Sequence, residues 1–425
     1  MSKIVQILIK NTSTLDFSIP VLIELKKRGH EVILIDLCRK KNSLSSLYAN
    51  LINEYDIEYI SREDLFPKTF QYILRLLDQF EPRAAPIRLK EFLSGGKGIF
   101  RITKFIIKNL KSIVFHIIRF SLYKCSNLFH RPSFDLSVLL DKCDVILWDH
   151  RARTSFYCDN YIISHLRDYS GQIYLMPHAP HMRDPDTEIY LPITGQLNEN
   201  YTYLLPINWS DNDVIYASYD ARFVHCGYPG FDDPWIEEVK SHSKEKVAGT
   251  VLIIMRPFSG ESVSDQAEID HYVLTYREAL DWLLVCKDQI GDDAIRIHLK
   301  LHPSNSKSSV IELLQKISFP VPTEILDEDI YTSVSEADTV YGFYSTTLLI
   351  ASAFGCKTYC LKTDLVDRSF SDWPILEQVY GDYGIKFIQT NHEEKSRKNT
   401  PSKINRQHFL ENSTEFCATM FTECS

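Results

Sequence analysis

The chain has 425 residues, 44 % hydrophobic and 24 % charged, the balance of a globular protein and too long for one ordinary core, so two domains are expected. A formal net charge of −9 and a pI of about 5.9 argue against a nucleic-acid partner. Ten scattered cysteines with no Cys-x-x-Cys pair exclude a disulfide framework or a zinc ribbon and fit a reducing, cytoplasmic setting. The opening MSKIVQILIKNTS has too short an apolar run, and no small-residue cleavage site, for a secretory signal.

Residues 3–9 alternate as a strand, and 17–28 carry Ile19, Val21, Leu22 and Leu25 on one side of a helix that Gly29 stops. EVILIDL at 31–37 is a second buried strand, and this β-α-β opening predicts a parallel sheet. The loop 10–14 then falls at the carboxyl end of the first strand, where open α/β sheets place ligands; a plain polar turn with a helix cap is the alternative. Residues 65–134 break the rhythm and read as a helical basic insertion. Within it, 97–130 sets Lys104, Lys108, Lys111 and Arg119 among Phe105, Ile106, Phe115 and Ile118. No uncharged span there is long enough to cross a bilayer. A basic amphipathic helix on an anionic membrane surface and an insertion packed on the sheet remain equal readings.

The α/β rhythm returns with strands at 144–149, 172–181, 213–218 and 222–230 and a helix at 155–169. The charged, apolar-poor stretch 237–249 reads as the approach to a domain boundary. Domains are therefore expected at 1–235 and 250–390, with 391–425 as a polar tail that can pack back on the first domain. The second half runs strand 250–260, helix 272–287, strand 295–303, helix 308–317, strand-turn-helix 337–355 and strand 356–362.

Three strand ends of this half carry candidate anion-binding groups. Arg256 follows the first and can pair with phosphate as a fork. Lys300 and His302 close the second, and strict alternation would put them, with His298, on one face. Ser345, Thr346 and Thr347 open the apolar helix after the third, a helix N-terminus with hydroxyl donors. Each alone is more simply a surface cation, a loop histidine or an ordinary cap; their convergence on one rim is what points to a phosphate site.

The strand-Lys300-Leu301-His302-Pro303 run followed by Tyr341-Gly342-Phe343-Tyr344-Ser345-Thr346-Thr347 resembles the C-terminal domain of bacterial GT-B transferases that build surface polysaccharides. The likeness is nearest to the CMP-sugar sialyl- and Kdo-transferase groups and the related CDP-glycerol glycerophosphotransferases. The run Phe223-Val224-His225-Cys226-Gly227-Tyr228-Pro229-Gly230-Phe231-Asp232 resembles the segment before their interdomain linker. The resemblance implies an α/β GT-B fold, two Rossmann-like domains facing a central cleft. It implies an inverting transfer from a CMP-activated acidic sugar to a glycan or lipid-linked glycan. His302-Pro303 and Ser345-Thr346 would hold the nucleotide, with no metal and no cofactor. A CDP-polyol phosphotransferase, a UDP-sugar transferase, a nucleotide-sugar 2-epimerase and a non-enzymatic scaffold are the alternatives. The catalytic base is sought across the cleft, at Asp149 or His178, which follow two strands of the first half.

Overall fold

A computed structural model describes residues 4–9, 14–36, 44–61, 64, 143–148, 169–177, 201–206, 222–258, 274–302, 305–343, 345–362, 373–389 and 412–423. The first half is one parallel sheet of β1 (Ile4–Ile9), β2 (Glu31–Asp36), β3 (Glu58–Ser61), β4 (Val145–Trp148), β5 (Gln172–Leu175), β6 (Tyr201–Leu205) and β7 (Arg222–His225), in the order β3-β2-β1-β4-β5-β6-β7. Helices α1 (Leu15–Lys27) and α2 (Ser46–Glu54) connect its first three strands. The second half is a separate parallel sheet of β8 (Thr250–Ile254), β9 (Arg296–Lys300), β10 (Thr323–Leu326), β11 (Thr339–Gly342), β12 (Lys357–Lys362) and β13 (Lys386–Gln389), in the order β10-β9-β8-β11-β12-β13. Its connecting helices are α4 (Tyr276–Gln289), α5 (Lys307–Gln315), α6 (Ile330–Glu336), α7 (Thr346–Ala353) and α8 (Trp373–Asp382); α3 (Asp233–Ser241) and α9 (Ser413–Glu423) lie outside both series. Both sheets are doubly wound, the order reversing beside β1 and beside β8, so the chain has the α/β, twin Rossmann-like architecture of the GT-B class.

Local chemistry explains the elements. The strands bury continuous apolar runs, as in Val251, Leu252, Ile253 and Ile254 of β8, which is what a sheet covered on both faces demands. Gly29, at φ +82°, ends α1 in the left-handed region. A reciprocal capping box between Thr275 and Glu278 starts α4.

Two elements tie the halves. The stretch read as an apolar-poor boundary begins inside α3, whose Trp235, Ile236 and Val239 are buried. That helix escapes a periodicity search because three apolar residues among charges suffice for its one covered face. Within the segment read as a polar tail, α9 buries Cys417, Ala418 and Phe421 and packs on α1. The Asp232 carboxylate accepts from the N–H groups of Ser413 at 3.2 Å and Thr414 at 2.6 Å, capping α9 from the far end of the interdomain connection. Phe421 meets Tyr174 of β5 at 4.6 Å between ring centroids. Thus the chain end returns to the first sheet.

The sequence-predicted helix at 155–169, all but its last residue, the strand at 213–218 and the insertion 65–134 lie outside the described residues, as does the basic stretch 97–130. No helix among the described residues is long and apolar enough to cross a membrane.

Candidate functional site

Parallel register aligns three strand ends of the second sheet. Ile254 of β8 pairs with Lys300 of β9 on one side and with Gly342 of β11 on the other. The Met255 N–H donates to the Lys300 carbonyl at 2.9 Å, extending the line by one residue. Arg256, His302 and the start of α7 therefore leave the sheet at its carboxyl edge, beside the reversal of strand order.

Arg256 lies over Phe343, its guanidinium carbon 5.2 Å from the ring centroid. His302 stands past the end of β9 rather than on it, because the strand stops at Lys300. It opens to solvent on one side. Partial burial on the other lowers its imidazole pKa, and the nearby Arg256 charge lowers it further. A neutral imidazole beside a permanent cation suits a group that donates one hydrogen bond to an anion held by the arginine.

Lys300 does not share that position. Its ammonium donates to the Glu328 carbonyl, in the turn that leads into α6. Burial pulls its pKa down, while the carboxylates of Asp329, Glu328 and Asp327 oppose that. His298, two residues earlier on the same strand, is only 4 % exposed. Its imidazole is pushed down by burial and by Arg296, and it stays inside the domain.

Ser345 is the N-cap of α7, with extended backbone, and its hydroxyl accepts from the Thr347 N–H at 3.3 Å. Leu348 N–H closes the first turn on the Ser345 carbonyl at 2.9 Å. Ser345, Thr346 and Thr347 are half-buried, so the positive end of α7 reaches the rim without being covered. Pro303 lies outside the described residues.

One residue of this site escapes sequence reading. Asn305 follows the His302 loop, and its side-chain amide bonds back to the Arg256 segment. Its Nδ2 donates to the Arg256 carbonyl at 2.9 Å, and its Oδ1 accepts from the Phe258 N–H at 3.2 Å. Its own N–H donates to the His302 carbonyl at 2.8 Å. An asparagine before a helix cap signals a turn; nothing in the sequence names its partner some fifty residues away.

The opposite sheet supplies strands β4 and β5 as neighbours, with Trp148 paired to Leu175. The base candidates Asp149 and His178 that follow them lie outside the described residues. A different acid is placed there. Asp16, in the first turn of α1, is half-buried, and its carboxylate receives the Tyr48 hydroxyl. Burial raises its pKa to about 7, against the opposing help of Tyr48 and Tyr331. Tyr331 belongs to α6 of the second domain, and its ring meets those of Tyr48 and Trp235 edge-on, each at 6.2 Å. Asp16 thus sits in the junction between the domains, closed by aromatic rings.

Among the described residues one group has metal-ligand types within 4.8 Å of one another, Glu54, Glu238 and His242. His242 Nε2 and Glu54 Oε2 are 2.8 Å apart, an ion pair that joins the ends of α2 and α3 and bears no relation to the rim.

No family model matches this chain, and no curated protein sequence does. Solved structures do superpose on it loosely. A putative UDP-N-acetylglucosamine 2-epimerase from Listeria monocytogenes is 11 % identical, with 92 % of this chain and 85 % of that one covered and a TM-score of 0.46. The S. aureus MnaA–UDP complex is 12 % identical over 99 % and 88 %, TM-score 0.45. The wall teichoic acid polymerase TagF is 11 % identical over 87 % and 72 %, TM-score 0.40. At this identity and this looseness of superposition, the chain's own strand order and site geometry carry the reading, and these likenesses assign it no substrate.

Proposed function

We propose that this chain is a nucleotide-sugar-dependent glycosyltransferase of inverting, metal-independent type. The observation that supports the reading is the register of β9, β8 and β11, which brings His302, Arg256 and the α7 N-terminus to one rim. Three donors of different kinds, a fork, an imidazole and a helix end, match the oxygens of a nucleotide phosphate. Lys300 adds positive potential from behind the rim.

In this reading the donor is a CMP-activated acidic sugar of the sialic acid or Kdo type, following the motif resemblance of His302-Pro303 and Ser345-Thr346. The acceptor is a hydroxyl of a surface glycan or of its lipid-linked precursor. The acceptor oxygen bonds to the anomeric carbon as the bond from that carbon to the phosphate oxygen breaks. The hydroxyl proton passes to a base of the first domain, Asp149 or His178, and CMP leaves with the electron pair. Stabilising the phosphate charge that develops on departure is the largest contribution open to the rim.

A thermal-shift panel of CMP, CDP, UDP and GDP tests the assignment. Cytidine nucleotides are expected to raise the melting temperature most. A response to UDP or GDP alone overturns the cytidine reading and points to a UDP-sugar transferase or an epimerase. Preference for CDP over CMP points to a polyol phosphotransferase. Silence with all four nucleotides sinks the enzyme reading in favour of a scaffold.

A further inference from the structure

Arg256 and His302 sit on different loops, and a strand ladder alone does not hold loop residues in place. Among the described residues, backbone bonding between β8 and β9 continues as far as the Met255 N–H on the Lys300 carbonyl. Beyond it, the side chain of Asn305 links the two loops. Its amide presents one donor and one acceptor in a plane, and uses both on a single segment, the Arg256 carbonyl and the Phe258 N–H. Meanwhile its backbone N–H closes a tight turn on the His302 carbonyl. The same residue therefore fixes the main chain at Arg256 and at His302.

We propose that Asn305 is a positioning residue of the donor rim, setting the spacing of Arg256 and His302 so that both meet one phosphate group. The proposal rests on the donor-site reading above for its ligand, but the spacing itself is measurable without one. No other side chain of comparable size does this work: Asp would put a carboxylate oxygen against the Arg256 carbonyl, and Ser is too short to span both groups. Asn305 touches no substrate in this scheme. It acts through the two residues that do.

The ligand-free reporter is the imidazole of His302. Partial burial and the Arg256 charge together hold its pKa below the ordinary histidine value. NMR titration, with the His302 resonance assigned by its loss in His302→Ala, reads that pKa in the intact protein. Replacing Asn305 by Ala is expected to let the two loops part, so that the His302 pKa rises towards its ordinary value. A nucleotide that stabilises the native protein should bind the variant about tenfold more weakly. The further change His302→Ala should cost less in that background than in the native chain, since its geometry is already lost. Asn305→Ser is the second variant if Asn305→Ala does not fold. A His302 titration unchanged in a folded variant overturns the proposal. So do native nucleotide affinity in the variant and additive effects of the two mutations. If the His302 pKa shifts while no nucleotide binds even the native protein, the positioning role stands and the transferase reading falls.

Discussion

Two polar regions grow from equivalent places in the two sheets and meet opposite fates. The second sheet sends Arg256, His302 and the α7 N-terminus to its carboxyl edge, where His302 remains exposed and Ser345 to Thr347 half-buried. The first sheet sends the segment after β1 to the same kind of edge, yet Asp16 there is packed against the next domain, its carboxylate held by Tyr48 of α2 and close to Tyr331 of α6. Topology offers both edges to a ligand. What packs across each decides whether polarity stays available. At the rim, His302 stays exposed and Arg256 half-buried against Phe343. At the junction, Tyr228 and Tyr331 have their own hydroxyl pKa values driven up by burial and by Asp16, as expected where buried rings crowd a carboxylate. One edge therefore keeps its polar groups at the surface, while the other has become a seam.

The comparison can be broken at the seam first. Tyr331 is 1 % exposed and joins α2, α3 and α7 through its contacts with Tyr48, Trp235 and Phe354. Tyr331→Ala should destabilise the protein by about 3–5 kcal/mol, as large aromatic truncations in cores do. On the rim, His302→Ala should stay within about 0.5 kcal/mol of the native protein. Urea unfolding of both variants measures this, and equal losses would mean the two regions do not differ as described.

Smaller is the effect of the Asp16 proton. Its folded pKa of about 7 exceeds the ordinary 3.8, so folding favours the protonated acid. That contribution is complete at pH values below 3.8 and is lost as pH rises through the folded value. The full span corresponds to about 4 kcal/mol, and relaxation of the site should leave about half. The groups facing the carboxyl are the hydroxyls of Tyr48, Tyr331 and Tyr228 and the charge of Asp329, none of which supplies a cation. Asp16→Asn keeps the shape and removes the titration. Its stability should fall less than that of the native protein between about pH 4 and about pH 7. Parallel pH profiles for the two proteins would show that Asp16 is not the titrating group.

Smallest is the effect on ligand. His302→Ala and Ser345→Ala should each weaken nucleotide binding about tenfold, roughly 1.5 kcal/mol for a lost charge-assisted hydrogen bond. Ser345→Ala should also cost about 1 kcal/mol of stability, since its hydroxyl caps α7 through Thr347. Calorimetric titration of both variants tests the site; native affinity in both would place the pocket elsewhere.

How much of this was legible beforehand varies by region. The strand at 31–37 and the strand-turn-helix at 337–355 announce themselves by uninterrupted apolar runs, and the structure has β2, β11 and α7 there. The parallel order of both sheets follows from their alternation with helices. Lys300 shows the limit of strand arithmetic. Alternation sets it beside His302, but the strand ends between them, and its ammonium turns to the Glu328 carbonyl. Helices α3 and α9 were missed because each buries few residues, and burial there depends on the partner surface rather than on the helix's own sequence.

The sequence by itself determined the local elements, the parallel class of the sheets and which residue types stand at strand ends, because those depend on apolar period and turn chemistry within short windows. Only the tertiary structure decided that Asp16 would be packed between domains and that Asn305 would clasp the Arg256 segment. Both depend on contacts between residues 32 to 315 positions apart, Asp16 with Tyr48 and with Tyr331 and Asn305 with Arg256, and burial is a property of such contacts rather than of any stretch of chain.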